Sequence, residues 1–114
     1  MIKPDISWAD FEKIDIRVGT ILDVEDFPEA RNPSFKLTLD FGELGIRRSS
    51  AQITALYEKE DLVGQQILAV VNFTNKQIGK FMSECLVLGV YGHDPKEVTL
   101  VTPSKRIDNG LKLG

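Results

Sequence analysis

Apolar and polar residues alternate along several short stretches of the chain, with the two-residue period of β-strands. The clearest alternation is in SFKLTLDFG (34–42), where four apolar residues would face a core while Lys36 and its polar neighbours face outward. Similar stretches predict further strands in DIRVGTILDVED (15–26), IRRSSAQIT (46–54), QQILAVVNF (65–73), SECLVLGVY (83–91) and VTLVTP (98–103).

The first predicted strand carries the least regular pattern. Its alternation places Ile16, Val18, Leu22 and Val24 on one face. Gly19 interrupts the strand, which predicts a β-bulge or a tight bend there, as is common where a small barrel coils.

Two helices are predicted between these strands. Ser7 and Asp10 have the spacing of a capping box, which predicts a short helix from residue 8, with Phe11 and Ile14 docked on the core. ALYEKEDLVG (55–64) is typical of a second short helix that ends near Gly64.

Five or so short strands with one helix between the third and the fourth predict an all-β fold. The pattern favours an OB-fold, a five-stranded Greek-key β-barrel with short helices and terminal extensions. An SH3-like barrel or a small β-sandwich would show similar alternation. The helix position and the glycine in the first strand favour the OB-fold, and 114 residues fit a single domain, 1–114.

The absence of membrane and disulfide signals in the sequence predicts a cytoplasmic location. The N-terminus has no apolar signal region, and the apolar runs are too short to cross a bilayer, so we expect no membrane insertion. The lone Cys85 excludes an internal disulfide, which fits the reducing cytoplasm.

The net charge of −3 conceals an asymmetry along the chain. Residues 1–61 hold 8 basic and 13 acidic side chains, whereas residues 62–114 hold 6 basic and 4 acidic ones. This pattern fits a solvated surface of mixed charge, or a dipolar surface with one face open to an anionic partner.

Residues suited to catalysis are scarce. One histidine, His93, and one cysteine, Cys85, cannot build a zinc site of ordinary spacing. No glycine-rich phosphate loop is present, and Ser49 and Ser50 have no base nearby in the sequence. We therefore expect a binding protein that is not an enzyme and uses no cofactor.

Groups that grip phosphates, sugars or peptide backbones are concentrated in three stretches. The candidate binding residues are Lys36 on the second strand, Arg47, Arg48, Ser49, Ser50 and Gln52 on the third, and Asn72, Phe73, Lys76, Lys80 and Ser83 in the connection NFTNKQIGKFMSE (72–84). Structural roles remain open for all of them: a solvated strand, ion pairs with nearby acids, phenylalanines in the core, and lysines that keep a loop soluble.

Five motifs carry a resemblance to a known family. They are FEKIDIRVGTI (11–21), FPEAR (27–31), LDFGELGIRRSSAQIT (39–54), VVNFTNKQIGKFMSECLVLG (70–89) and NGLKLG (109–114). In this order they resemble the tRNA-binding domain family, and SSAQIT and the final NGxKxG are similar to its CsaA-type chaperone branch. By motif position, Asn72, Lys76, Ser83 and Glu84 match the family's binding connection.

The resemblance implies an OB-fold homodimer whose terminal segments, about 1–13 and 104–114, lie in the dimer interface. It implies binding of unfolded or precursor polypeptides, contact with the export ATPase, and tRNA as a further partner. The expected peptide site is an apolar groove rimmed by Lys36, Arg48, Asn72 and Lys76. Thr74 and Asn75 replace two prolines that are usual in the CsaA branch, so we expect a more flexible connection.

Overall fold

The structure, a computed structural model, describes all residues from 1 to 114. Its helices are α1 (Trp8–Glu12) and α2 (Lys59–Leu62), with a 3-10 turn at Gly42–Leu44. Its strands are β1 (Ile16–Asp26), β2 (Phe35–Asp40), β3 (Ile46–Ala51), β4 (Gln66–Val70), β5 (Lys76–Ile78), β6 (Phe81–Ser83), β7 (Leu86–Val87), β8 (Gly89–Tyr91) and β9 (Val98–Leu100).

The long strand β1 organises the main sheet. Residues 16–20 pair with β4 and residues 20–26 pair with β2, so one strand contributes to both halves of the barrel. The strand order β3-β2-β1-β4-β7 is antiparallel throughout, and the sheet curls until β3 and β7 approach each other. This nearly closed five-stranded barrel is the predicted OB-fold.

Alternation in β2 supplies much of the core, as predicted. Phe35, Leu37 and Leu39 are buried, and so is Phe41 just beyond the strand, while the residues between them are only partly covered. They belong to a core cluster of 14 residues that also draws on β1, β3, β4 and α2.

The predicted inward face of β1 is wrong at Leu22, which is exposed. The pairing register with β2 shifts between Ile21 and Asp23, so a bulge lies there and not at Gly19. The bulge reverses the inward and outward sides, and it is Ile21 that enters the core. Gly19 is required for space, because a Cβ at this position would lie only 2.7 Å from the Phe41 ring.

Helix α1 begins as the sequence predicts. The Asp10 amide donates to Ser7 Oγ at 3.1 Å and the Ser7 amide donates to Asp10 Oδ2 at 3.2 Å, which completes the capping box. The predicted docking of this helix on the core is wrong: α1 buries no residue, Phe11 is half-buried and Ile14 is exposed. Helix α2 is shorter than predicted but buries Leu62 and ends just before Gly64.

The C-terminal segment 109–113 adds to the free edge of β1, where the sequence showed no core role. The Gly110 amide donates to the Val18 carbonyl at 2.7 Å, and the Val18 amide donates to the Leu111 carbonyl at 3.0 Å. The Leu113 amide completes this ladder by donating to the Ile16 carbonyl at 2.9 Å. The segment thereby caps the half of β1 that β2 leaves open.

Asn109 fixes the start of this docked segment. Its Oδ1 accepts hydrogen bonds from Thr20 Oγ1 at 2.7 Å and from Gln66 Nε2 at 3.0 Å. Gln66 in turn accepts from the Ile107 amide at 3.1 Å. Because Thr20 and Gln66 are both buried, loss of their shared acceptor would leave polar groups with fewer partners.

Replacement of Asn109 by alanine is expected to lower the free energy of unfolding by about 1–3 kcal/mol, the cost of leaving buried donors unsatisfied. Urea denaturation followed by circular dichroism measures this change. Asn75→Ala is the matched control, because Asn75 is exposed and makes no hydrogen bond through its side chain. We expect that variant to stay within about 0.5 kcal/mol of the parent. Equal stabilities of the two variants would contradict the role given to Asn109.

Candidate binding surfaces

The barrel closes along a short seam between Arg48–Ser50 of β3 and residues 83–85. The Glu84 amide donates to the Arg48 carbonyl at 2.7 Å, and the Arg48 amide donates to Glu84 Oε1 at 2.9 Å. The Ser50 amide donates to Ser83 Oγ at 3.1 Å. Side chains therefore replace part of the backbone ladder that an ordinary strand pair would supply.

Beyond the seam, the end of β3, the residues that follow it and the chain after Cys85 line an open groove of about 1180 Å³. Its apolar lining includes Ile53, Val87 and Leu100, together with the more exposed Phe73, Leu86 and Tyr91. Its polar lining includes Gln52, Asn75, Lys3 and Lys76, and no carboxylate lines it. The groove is an apolar surface with a weakly basic rim, in a chain whose acids outnumber its bases.

A basic cluster, Lys36, Arg48 and Lys80, lines a second and smaller pocket of about 480 Å³. The Arg48 guanidinium lies 4.7 Å from the centre of the Phe81 ring, and Lys36 Nζ lies 4.9 Å from the centre of the Phe27 ring. The faces of these rings attract the cations and hold them in place. The β5–β6 hairpin contributes Lys76 to the groove and Lys80 to the basic cluster, so it contributes to both surfaces.

Two acids reduce the charge of the basic cluster. Arg48 forms an ion pair with Glu25 at 2.7 Å, and Lys36 lies 4.0 Å from Glu29. Lys80 has no acidic partner. Both ion pairs are partly exposed, so an anionic ligand could compete for these cations at modest cost.

The candidate residues named from the sequence separate into three groups. Groove residues are Ser50, Gln52, Phe73, Lys76 and Ser83. Lys36, Arg48 and Lys80 form the basic cluster. Arg47, Ser49 and Asn72 line neither surface. Of the four residues expected to rim an apolar groove, Lys76 lines this one, whereas Lys36, Arg48 and Asn72 do not.

The third group supports the barrel. Ser49 has no exposed surface and donates to the Cys85 carbonyl at 2.9 Å. Arg47 Nη1 donates to the Val71 carbonyl at 2.8 Å. Asn72 Nδ2 donates to the Lys13 carbonyl at 2.7 Å, while its Oδ1 accepts from the Asp15 amide at 3.0 Å. These contacts engage polar groups that the sequence suggested for ligand binding, and Ser49 has no surface that a ligand could reach.

The apolar side of the groove was not predicted from the sequence. The predicted strand SECLVLGVY (83–91) is divided between β6, β7 and β8, and its Leu86 and Tyr91, which line the groove, are exposed. A signal was present in CLVLGVY, because both sides of the strand are apolar while a small barrel has only one interior. Lys3 and Phe27, which line the groove and the smaller pocket respectively, carried no such signal.

Cys85 is buried at the join between the seam and the groove, where it packs in the core cluster as a small hydrophobic residue. Burial raises the pKa of its thiol to about 11, because the apolar surroundings disfavour the thiolate. No group of three or more His, Cys, Asp or Glu side chains is placed to hold a metal ion. Neither helix approaches the length or the hydropathy that a membrane crossing requires.

Comparison with known proteins places the chain in a family. Residues 16–112 match the family described as "Putative tRNA binding domain", and the chain belongs to this family. The structure of chaperone CsaA from Bacillus anthracis is similar over 97% of this chain and all of that one, with 47% identity and a TM-score of 0.92. The CsaA chaperone protein from Picrophilus torridus, at 48% identity, covers 96% of this chain with a TM-score of 0.89. The resemblance to the CsaA branch is therefore confirmed.

Curated relatives are much longer proteins. The methionine–tRNA ligase of Bdellovibrio bacteriovorus is 38% identical over 92 residues, which are 79% of this chain but 13% of that enzyme. The ligase of Nanoarchaeum equitans is 36% identical over 95% of this chain and 13% of its own length. In both ligases the matching region is one small part of the whole protein.

The raised pKa of Cys85 leads to a prediction about its reactivity. At pH 8 the native thiol is expected to react with a disulfide reagent at least about a hundredfold more slowly than the urea-unfolded chain, because two pKa units separate the buried thiol from an ordinary one. The native rate is expected to rise about tenfold per pH unit up to pH 10. Release of the coloured thiolate measures both rates. A native rate equal to the unfolded rate would mean that residues 83–87 open readily.

Proposed function

We propose that this protein is a non-enzymatic, homodimeric chaperone of the cytoplasm that binds unfolded or precursor polypeptides destined for export. The observation that carries the proposal is the open groove, where exposed Phe73, Leu86 and Tyr91 surround an apolar floor without carboxylates. Apolar clefts with a few polar groups at the rim suit ligands that carry apolar side chains. Similarity to chaperone CsaA structures over the full length of those chains supports the same proposal.

A homodimer accounts for the surface of the termini. Met1, Ile2, Ile6 and Trp8 are strongly exposed, and Ile107, Leu111 and Leu113 are exposed at the other end of the chain. So many large apolar side chains left exposed suit an interaction site. Two copies would present two grooves, and a long unfolded chain that engages both gains effective affinity through avidity. A contact with the export ATPase belongs to this proposal and would follow client binding.

Leu86→Ala tests the groove. Truncation removes apolar contact area, so we expect affinity for an unfolded client to fall about fivefold, from roughly 1 kcal/mol of lost burial. Leu56→Ala is a close control, because Leu56 is 49% exposed and Leu86 48%, yet Leu56 lies outside the groove. Light scattering from aggregating reduced insulin, at several protein concentrations, gives the comparison.

Sedimentation of both variants shows whether each retains the association state of the parent. Equal protection of insulin by the two variants would remove the groove from the proposal. Parent protein that leaves insulin aggregation unchanged would argue against chaperone function altogether.

The basic cluster favours tRNA as a second ligand. Lys36, Arg48 and Lys80 lie on one surface next to β2 and β3, the side on which OB-folds bind nucleic acid. Phe27 and Phe81 lie beneath the cations and are buried, so they orient charges and offer no exposed face for stacking. The surface therefore suits phosphate contacts that follow the shape of an RNA backbone without reading its bases.

Salt dependence of tRNA binding tests this second function. With three phosphate contacts, the logarithm of the association constant should fall with the logarithm of salt with a slope of about −2 to −2.7. Changing Lys36 and Lys80 to glutamine together should make the slope shallower by about 1.5. Fluorescence anisotropy of labelled tRNA measures both slopes.

A matched double variant, Lys96→Gln with Lys105→Gln, removes two exposed lysines that line neither surface. It lowers the net charge of the chain equally, so a purely global charge effect would change both slopes alike. That result would exclude the basic cluster as a specific site.

A further inference from the structure

From Leu86 to Gly92, alternate residues direct their backbone amides and carbonyls toward neighbouring strands, where they form hydrogen bonds. The Leu88 amide donates to the Leu68 carbonyl at 2.9 Å, and the Leu88 carbonyl accepts from the Val101 amide at 3.1 Å. The Gly92 amide donates to the Glu97 carbonyl at 2.7 Å. In an antiparallel ladder only alternate residue pairs exchange hydrogen bonds.

The intervening residues therefore point their backbone groups the other way. Val87 opposes Ala69, Gly89 opposes Leu100 and Tyr91 opposes Val98, and all three fall at the non-hydrogen-bonded positions of their ladders. Their amides and carbonyls form one outward edge, and all three residues line the groove. Gly89 and Tyr91 are exposed and Val87 is half-buried, so water reaches this edge.

An unpaired strand edge beside an apolar groove is a template for an added strand. We propose that the edge formed by Val87, Gly89 and Tyr91 binds an extended polypeptide segment by backbone pairing, so that the segment becomes an additional β-strand next to β7 and β8. This inference rests on the proposed chaperone function and names how the groove recognises a client. Backbone pairing tolerates many sequences, because main-chain groups give affinity while side chains only select.

The groove also indicates the side chains of the segment. Alternate residues of an added strand point to the same side, so every second residue would meet the apolar lining. Lys3 and Lys76 lie on the rim and no acid does, which favours a segment with neutral or acidic flanks over a basic one. The expected ligand is an extended stretch of alternating apolar and polar residues with at least one carboxylate.

Hydrogen exchange read by nuclear magnetic resonance tests the edge in the unmodified protein. The probe is a synthetic peptide of about nine residues that alternates valine with threonine and carries glutamate at both ends. In the free protein the amides of Val87, Gly89 and Tyr91 should exchange fast, whereas those of Leu88 and Val101 should be protected. Saturating peptide should slow exchange of the first three amides at least about tenfold and leave the other two unchanged.

Two modified peptides provide a matched control with identical side chains. N-methylation of two amides on one edge of the peptide removes the donors that face the protein, and N-methylation of two amides on the other edge removes donors that face solvent. Loss of two hydrogen bonds should weaken binding about tenfold or more in the first case, with little change in the second.

Three results would overturn the inference, and each has a distinct meaning. Peptide that binds without protecting the edge amides would show recognition by side chains alone, which leaves the proposed function intact. Edge amides that are protected without peptide, and lose protection on dilution, would assign the edge to a second copy of this chain. Failure of both the peptide and reduced insulin to bind would reject the proposed function together with the inference.

Discussion

The structure depends on a barrel that closes along only part of its circumference. Between β3 and residues 83–85, closure uses side chains: Ser83 and Glu84 accept from the amides of Ser50 and Arg48, and Ser49 donates to the Cys85 carbonyl. Each such contact joins β3 to residues 83–85, because no regular ladder pairs β3 with β6 or β7. β3 and β7 approach each other without a backbone ladder between them, and the open groove lies beside this unpaired junction. The groove is therefore a direct product of incomplete closure.

This constraint also explains why the two candidate surfaces lie side by side. The β5–β6 hairpin leaves the barrel after β4 and returns to it at the seam, so its residues face the groove on one side and the basic cluster on the other. Apolar and cationic surfaces are thus separated by one short hairpin. A polypeptide and a nucleic acid place different demands on a surface, and the hairpin allows both kinds of surface on a small domain.

The sequence predicts the fold well because the core pattern is local. Two-residue alternation in β2 and the capping box at Ser7 are decided by near neighbours, and both are confirmed. The position of the bulge at Leu22 was not predicted, because it depends on the pairing register between β1 and β2. Alternation within one strand does not specify that register. Docking of α1 failed for a related reason, since two apolar residues on a helix do not reveal whether a core is available to them.

The sequence indicated which residue types lie around the candidate surfaces, but not which partners their side chains contact. Several polar residues named for binding lie near the seam, but Ser49 and Asn72 satisfy backbone groups far away in sequence, at Cys85 and Lys13. Such partners are not visible in a single sequence, because a hydroxyl or amide looks the same whether it meets a ligand or a carbonyl. The exposed apolar strand was overlooked because an apolar run usually indicates a core.

Docking of residues 109–113 on β1 has a consequence for synthesis of the chain on the ribosome. β1 is translated early, yet its outer edge is completed only by residues such as Gly110, which lies 93 positions after Arg17, its hydrogen-bond partner. Until that segment emerges, the nascent chain carries an open strand edge at residues 16–18. Long-range pairing of this kind is slow to form, so the last step of folding must follow translation of the segment. A protein proposed to shield incomplete chains thus passes through a vulnerable unfinished state of its own.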